Sequence, residues 1–257
     1  MCTLTFGLTK KGYELFFNRD EQYSRPKAIP PEFNVLLQSI YPIDVSEQTI
    51  SSRDGTWLAV DQYGMSLALL NNYPKESIQS FVFDHHKFLS RGDIILSLLN
   101  LQVSENIKLT SDSIKEHLNQ LNLTNYKPFK LIVFSNQLTQ TSGGIQSLNW
   151  DGENISILNI SANDLPITSS SINLREARQA RKETFDAMCN DSLSSSSQLK
   201  AYHFSTETDT SMSVNMIRED ARTVSISHIS VSDEIKFGYF DNLNQSTRVQ
   251  TIKRINH

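Results

Sequence analysis

Hydrophobic and polar positions alternate along much of the chain, and the alternating runs come in pairs. Thr3–Leu8 and Tyr13–Phe17 are joined by Thr9-Lys10-Lys11-Gly12, with Tyr13, Leu15 and Phe17 on one face of the second run. Thr56–Val60 and Met65–Leu70 flank Asp61-Gln62-Tyr63-Gly64. Gly144–Trp150 and Asn154–Leu158 flank Asp151-Gly152, and Arg222–Val231 and Ile235–Phe240 flank Ser232-Asp233-Glu234. Each pair predicts a β-hairpin, because a short turn-forming connection joins two runs of period two. Phe129–Phe134 is the strongest single strand. Val35–Tyr41 predicts a short strand, and the proline-rich stretch from Tyr23 to Pro31 predicts loop.

Three segments carry the helical period instead. Ile94, Ile95, Leu98 and Leu99 follow Ser90-Arg91-Gly92-Asp93, which supplies the start signal. Ser113-Ile114-Lys115-Glu116 has the S-x-x-E form of a capping box and opens a second helix to about Leu121. Leu174 to Cys189 forms the longest, with Leu174, Ala177, Arg178, Arg181, Phe185 and Met188 at helical spacing. Arg175, Arg178 and Arg181 read as a solvated or ion-paired face. The serine run 192–197 predicts a mobile loop, and the last residues look polar and loose. Four hairpins with helices grouped between them are not βαβ units. They predict an α+β chain of two stacked antiparallel sheets covered by helices, in one domain spanning 1–257.

Composition narrows the function classes. The chain has 257 residues, a net charge of −4 and 38% hydrophobic residues. This balance gives no electrostatic footprint for nucleic acid. No apolar run approaches the roughly 18–20 residues of a membrane span. The absence of a basic n-region followed by an apolar h-region predicts a cytoplasmic chain in which Cys2 is available as the mature N-terminus. The two cysteines, Cys2 and Cys189, are expected to stay reduced in that compartment. No Cys/His cluster has zinc spacing, and the doublet His85-His86 reads as a polar edge. No metal and no cofactor is expected.

The candidate chemistry lies in the first hairpin. If Met1 is removed, Cys2 carries a free α-amine beside its thiol. The two groups titrate near each other, at about 7.7–8.0 and about 8.5. The amine can then act as the base for the thiol, as it does for an N-terminal threonine. Antiparallel pairing returns Asn18-Arg19-Asp20-Glu21 to the neighbourhood of Cys2. A carboxylate there can hold the amine, and an arginine can favour the thiolate by charge.

These residues, with several later motifs, carry a resemblance. Met1-Cys2-Thr3, Asn18-Arg19-Asp20-Glu21, Tyr23-Ser24-Arg25-Pro26, Gly55-Thr56-Trp57-Leu58, Asn72-Tyr73, Ser90-Arg91-Gly92 and Asn149-Trp150-Asp151-Gly152 occur in that order. The chain in this respect resembles the NRDE proteins, also called transport and Golgi organisation protein 2-like. That family is in turn distantly similar to the choloylglycine hydrolase and penicillin V acylase branch of the N-terminal nucleophile hydrolases. The resemblance implies an αββα four-layer fold and a cysteine nucleophile that cleaves linear amide bonds without a cofactor.

Residue by residue, the resemblance implies Cys2 as nucleophile, with Arg19 and Asp20 as the charged pair beside it. Asn72, or its neighbour Asn71, matches a strand-end oxyanion donor. Where the acylases have a second asparagine this chain has Thr168-Ser169-Ser170-Ser171, with Ser170 the nearest equivalent. Arg222 matches a distal arginine, with Arg218 as runner-up. The implied partner is a small acyl-amide substrate. The alternative is a hydrophobic ligand, lipid or haem, carried without turnover, for which His85, His86, His203 and His228 would be the candidate axial ligands. Oligomeric state is not encoded visibly.

Overall fold

The computed structural model describes residues 2–45, 54–73, 88–189, 194–206 and 209–255. In chain order the strands are β1 (Cys2–Thr9), β2 (Gly12–Gln22), β3 (Ile29–Asn34), β4 (Ser39–Ile43), β5 (Leu58–Asp61) and β6 (Ser66–Asn71). Helices α1 (Gly92–Ser104) and α2 (Ser111–Gln120) follow, then β7 (Phe129–Phe134), β8 (Ile145–Trp150), β9 (Ile155–Asn159) and β10 (Ile167–Ser169). The chain closes with α3 (Leu174–Met188), α4 (Ser196–Phe204), β11 (Ala221–Val231), β12 (Glu234–Asp241) and β13 (Ser246–Lys253). The α+β class and the two antiparallel sheets expected from the sequence are present.

The described chain divides into two compact units with one sheet each. Residues 2–25, 137–143 and 160–255 form the first, and 26–136 with 144–159 form the second. The first unit holds the six-stranded sheet in the order β10-β1-β2-β11-β12-β13, with α3 and α4. The second holds the seven-stranded sheet β3-β4-β5-β6-β7-β8-β9, with α1 and α2. Its core joins Leu67, Leu69, Leu131, Val133 and Leu148 of the sheet to Ile94, Ile95, Leu98 and Leu99 of α1 and to Ile114 and Leu118 of α2. Among the described residues no helix is long and apolar enough to cross a membrane.

All four predicted hairpins form. Several boundaries moved for physical reasons. β3 contains Pro30 and Pro31, which the sequence assigned to loop. It is an edge strand with an irregular register between Ile29 and Glu32, where prolines without N–H groups are tolerated. The expected strand Val35–Tyr41 is Ser39–Ile43, and Val35 and Leu36 lie exposed in the turn before it. The cap of α2 sits three residues earlier than expected: Thr110 accepts from the Ser113 amide and Ser113 from the Thr110 amide. The chain is ordered as a strand up to Lys253, since β13 pairs along its whole length with β12. The serine run lies partly outside the described residues. Its end begins α4, capped reciprocally by Ser195 and Gln198.

Candidate active site

Register fixes the neighbours of Cys2. Cys2 lies opposite Arg19 on β2 and opposite Ser169 on β10. On the far side of β2, Thr223 of β11 lies opposite Asp20 and Arg222 opposite Glu21, with an irregularity between Thr223 and Ser225. Residues directly opposite across a ladder share a face, and successive residues alternate. Cys2, Leu4, Phe6, Leu15, Phe17, Arg19 and Ser169 therefore face one way. Thr3, Thr5, Asn18, Asp20 and Thr223 face the other.

The second face is polar and buried, and α3 and α4 pack on it. Arg181 of α3 is fully buried. Its guanidinium donates to Asp20 Oδ2 at 3.0 Å, to Thr3 Oγ1, and through Nε to the Met212 carbonyl at 3.4 Å. The other Asp20 oxygen accepts from the Thr223 hydroxyl at 2.6 Å. Asn18 donates to the carbonyls of His203 at 2.9 Å and Val214 at 2.8 Å. His203 is also fully buried, with Nδ1 2.7 Å from Asn18 Oδ1 and Nε2 2.7 Å from Thr5 Oγ1. The Asn18 nitrogen is committed to two carbonyls, so its oxygen is the acceptor. Nδ1 then carries the proton, and Nε2 accepts from Thr5.

Cys2 keeps part of its surface accessible, yet its surroundings are dense. Burial pushes the thiol up from its ordinary value. The positive amino terminus draws it back, the Asp20 charge adds to the rise, and the Asp20 backbone amide, hydrogen-bonded to the sulfur, and Arg19 lower it. Arg19 is 4% exposed and reaches Glu21 at 3.3 Å. Cys189, the other thiol, is buried at the end of α3.

The remaining expected site residues are placed less evenly. Ser170 is buried, but its hydroxyl donates to the Ile172 carbonyl and accepts from the Ile172 amide at 3.2 Å. Ser169, which the sequence did not single out, is the register partner of Cys2. Arg222 stacks its guanidinium 5.1 Å from the Tyr23 ring, and its Nε is buried without a hydrogen-bond partner. Arg218 is tied to Asp220 through two nitrogens, at 2.9 and 3.0 Å. Asn72 belongs to the second unit, where its side chain donates to the Trp150 carbonyl at 3.1 Å. Asn71 donates to the Tyr73 hydroxyl at 3.1 Å.

Of the four histidines proposed as axial ligands, His203 is corrected outright, since both ring nitrogens are bonded inside the core. His228 lies 3.2 Å from Glu14 and stacks on Phe16 with ring centres 4.1 Å apart. His85 and His86 lie outside the described residues. Among the described residues no group of three or more His, Cys, Asp or Glu side chains is placed to hold a metal ion. Arg181, Thr223 and His203 were missed as parts of this assembly. For Arg181 a signal existed: with Ala177 and Phe185 it makes a stripe of period four, and all three are buried.

The chain is thus an α+β protein in which Cys2 opens β1 and the Asn-Arg-Asp-Glu segment returns beside it on β2. Within that class the family is shown directly. The model for Transport and Golgi organisation 2 matches residues 1–253, and the chain belongs to that family. No curated protein matches the chain. Among solved structures it is similar to a cysteine-to-alanine mutant of conjugated bile acid hydrolase from Clostridium perfringens, at 13% identity and a TM-score of 0.46, over 100% of this chain and 99% of that one. It is likewise similar to an arginine-to-leucine variant of conjugated bile acid hydrolase from the same organism, at 12% identity and a TM-score of 0.48, covering 98% and 99%.

Proposed function

We propose that the protein is a cysteine-dependent N-terminal nucleophile amidohydrolase, active once Met1 is removed. The carrying observation is the immediate setting of Cys2: Arg19 opposite it, and the Asp20 amide on its sulfur. A thiol pushed up by burial rests in its protonated form, so a base is needed to release it. The α-amine that removal of Met1 creates on the same residue is that base. An ordinary α-amine, at about 7.7–8.0, keeps part of its population neutral and able to accept a proton near neutral pH.

The reaction follows from this pairing. The amine takes the Cys2 proton as sulfur attacks the substrate carbonyl. It returns the proton to the departing nitrogen as the C–N bond breaks. A thioester remains on Cys2. Water, deprotonated by the same amine, attacks the thioester, and the released thiolate is reprotonated. Asp20 holds its carboxylate rigidly between Arg181 and Thr223 while keeping further acceptor capacity for the amine. Arg222, with an unpartnered Nε, is the candidate side chain for a substrate oxygen. The oxyanion roles of Asn72 and Ser170 rest on the family resemblance alone, and the substrate class, a linear small-molecule amide, rests there too.

The test is an intact mass of the purified protein, before and after a cysteine-directed electrophile at neutral pH, followed by turnover of simple N-acyl amides. Loss of one methionine, rapid single labelling on Cys2, and hydrolysis abolished by Cys2→Ala are expected. A retained Met1, or hydrolysis that survives Cys2→Ala, overturns the reading.

A further inference from the structure

The sequence placed Arg181 on a charged helix face, but it is fully buried in the first unit. Its guanidinium reaches two strands at once. One arm holds Thr3, the residue directly after Cys2, and another holds Asp20, whose backbone amide reaches the Cys2 sulfur. The third nitrogen takes the Met212 carbonyl, so all three nitrogens are engaged inside the protein. The helix carrying it is anchored in turn, because the Tyr202 hydroxyl donates to the Arg181 carbonyl at 3.1 Å.

This arrangement answers a mechanical problem at the start of β1. Cys2 is the first residue of the strand, and ladder ends fray because they lack neighbours on one side. Once Met1 is removed, no residue precedes Cys2 to continue the ladder. The Cys2 side chain points to the face opposite Arg181, so the guanidinium cannot touch the thiol or a substrate bound to it. What it can do is fix the spacing between Thr3 and Asp20, and with it the distance from the Cys2 sulfur to the Asp20 amide.

We infer that Arg181 is a positioning residue, a buried clamp between the first and second strands that holds Cys2 in its reactive setting. The inference deepens the proposed function and rests on it for the word reactive. A planar guanidinium with several fixed donors suits this task, and a lysine ammonium, a single point charge, does not span both partners. Asp20 receives one arm and would be left as an uncompensated buried charge if Arg181 alone were removed. The neutral pair Asp20→Asn with Arg181→Met avoids that.

The test reads Cys2 itself and needs no substrate, so failure to find an amide substrate does not touch it. Protein lacking Met1 is labelled with a cysteine electrophile across about pH 6 to 9.5, and the rate at each cysteine is followed by peptide mass. Arg19 and Asp20 act on the Cys2 thiol in the folded chain, and removal of Met1 adds the α-amine of Cys2 itself as the third group that sets the profile. Arg181→Lys, Thr3→Val and the double variant Asp20→Asn/Arg181→Met are compared with the parent. Cys189, buried at the end of the helix that carries Arg181, reports general loosening. The expected result is a Cys2 profile shifted to higher pH and a rate at neutral pH slowed about tenfold or more in the double variant, one pH unit being a factor of ten, although loss of the Asp20 charge by itself acts on the thiol in the opposite direction. A smaller slowing in the same direction is expected in Arg181→Lys and Thr3→Val, with Cys189 still protected in all three. Unchanged Cys2 profiles with Cys189 protected overturn the inference. So does a loss of Cys2 reactivity that appears only where Cys189 becomes labelled as well, since that is a structural role alone. Should the double variant fail to fold, Thr3→Val, which removes a single hydroxyl, decides between the same outcomes.

Discussion

Asn18 grips His203 from both sides, with its amide oxygen 2.7 Å from the ring Nδ1 and its amide nitrogen 2.9 Å from the His203 carbonyl. The ring is fully buried, and burial, helped by the nearby positive charge of Arg181, pushes its pKa down from 6.5 to about 3. Below pH 6.5 an unfolded histidine binds a proton, whereas the folded one stays neutral until about pH 3. His203 therefore supports the fold fully above 6.5 and loses that support as pH falls from 6.5 toward 3, by about 1.4 kcal/mol per pH unit. The variant His203→Gln keeps a donor and an acceptor but no titration. Its stability relative to the parent is expected to rise steadily between about pH 6.5 and about pH 4.5, read from urea midpoints by circular dichroism. A constant difference across that range would show that His203 is not held neutral.

Asp61 gives the opposite sign in the second unit. Its carboxylate sits at the β5–β6 turn and accepts from the amides of Tyr63 at 2.9 Å and Met65 at 2.8 Å. Burial dominates these bonds and raises its pKa from 3.8 to about 6. The folded form then holds its proton where the unfolded form has lost it, so the contribution present below pH 3.8 disappears as pH rises through about 6. Asp61→Asn keeps an acceptor oxygen without the charge. The difference between variant and parent is expected to move in the variant's favour as pH climbs from about 4 to about 6, then level off. Both tryptophans, Trp57 and Trp150, are buried in this unit, so fluorescence during denaturation reads it directly.

Two of the family motifs meet in one contact. The Gly55 of Gly55-Thr56-Trp57-Leu58 and the Gly92 of Ser90-Arg91-Gly92 pass so close that a Cβ on Gly92 would lie 2.8 Å from the Thr56 nitrogen and 2.9 Å from the Gly55 Cα. The Thr56 amide donates to the Gly92 carbonyl at 3.3 Å, so neither backbone can retreat without losing that bond. Gly92→Ala is expected to destabilise the second unit by roughly 1–3 kcal/mol, the range for overpacking against a fixed neighbour. Tryptophan fluorescence in a denaturant series measures it. An unchanged midpoint would mean that α1 can shift freely at its first turn.

The sequence shows the strands well where one face is apolar, because period two is then forced by burial. β1, β2, β7 and β11 were all legible in this way. β13 was not: it is an edge strand with most of its side chains exposed, so no apolar face marks it. α4 was hidden by its serines, which look like a linker until Ser195 and Gln198 are seen to cap the helix reciprocally. The tetrapeptide Asn18-Arg19-Asp20-Glu21 was legible as a cluster but not as two faces. Alternation along β2 sends Arg19 toward Cys2 and turns Asn18 and Asp20 onto the helices. Arg181 shows the limit most clearly. Its period-four spacing with Ala177 and Phe185 was present, but charge suggested solvent, and only the buried Asp20 and Thr3 explain why it points inward.

Thr223 offers the sharpest check on the buried polar face. Its hydroxyl donates to Asp20 Oδ1 at 2.6 Å and accepts from the Met216 amide at 2.8 Å. Thr223→Val has nearly the same shape but strands that amide and one carboxylate oxygen together. A buried polar group without its partner costs about 1–3 kcal/mol. Thr223→Ser keeps the hydroxyl and removes one methyl, worth about 0.8 kcal/mol by transfer. Chemical denaturation of the two variants should therefore separate them, with valine the more damaging although it is the closer match in volume. Equal losses would point to methyl packing rather than the hydroxyl bridge, and would remove Thr223 from the support of Asp20.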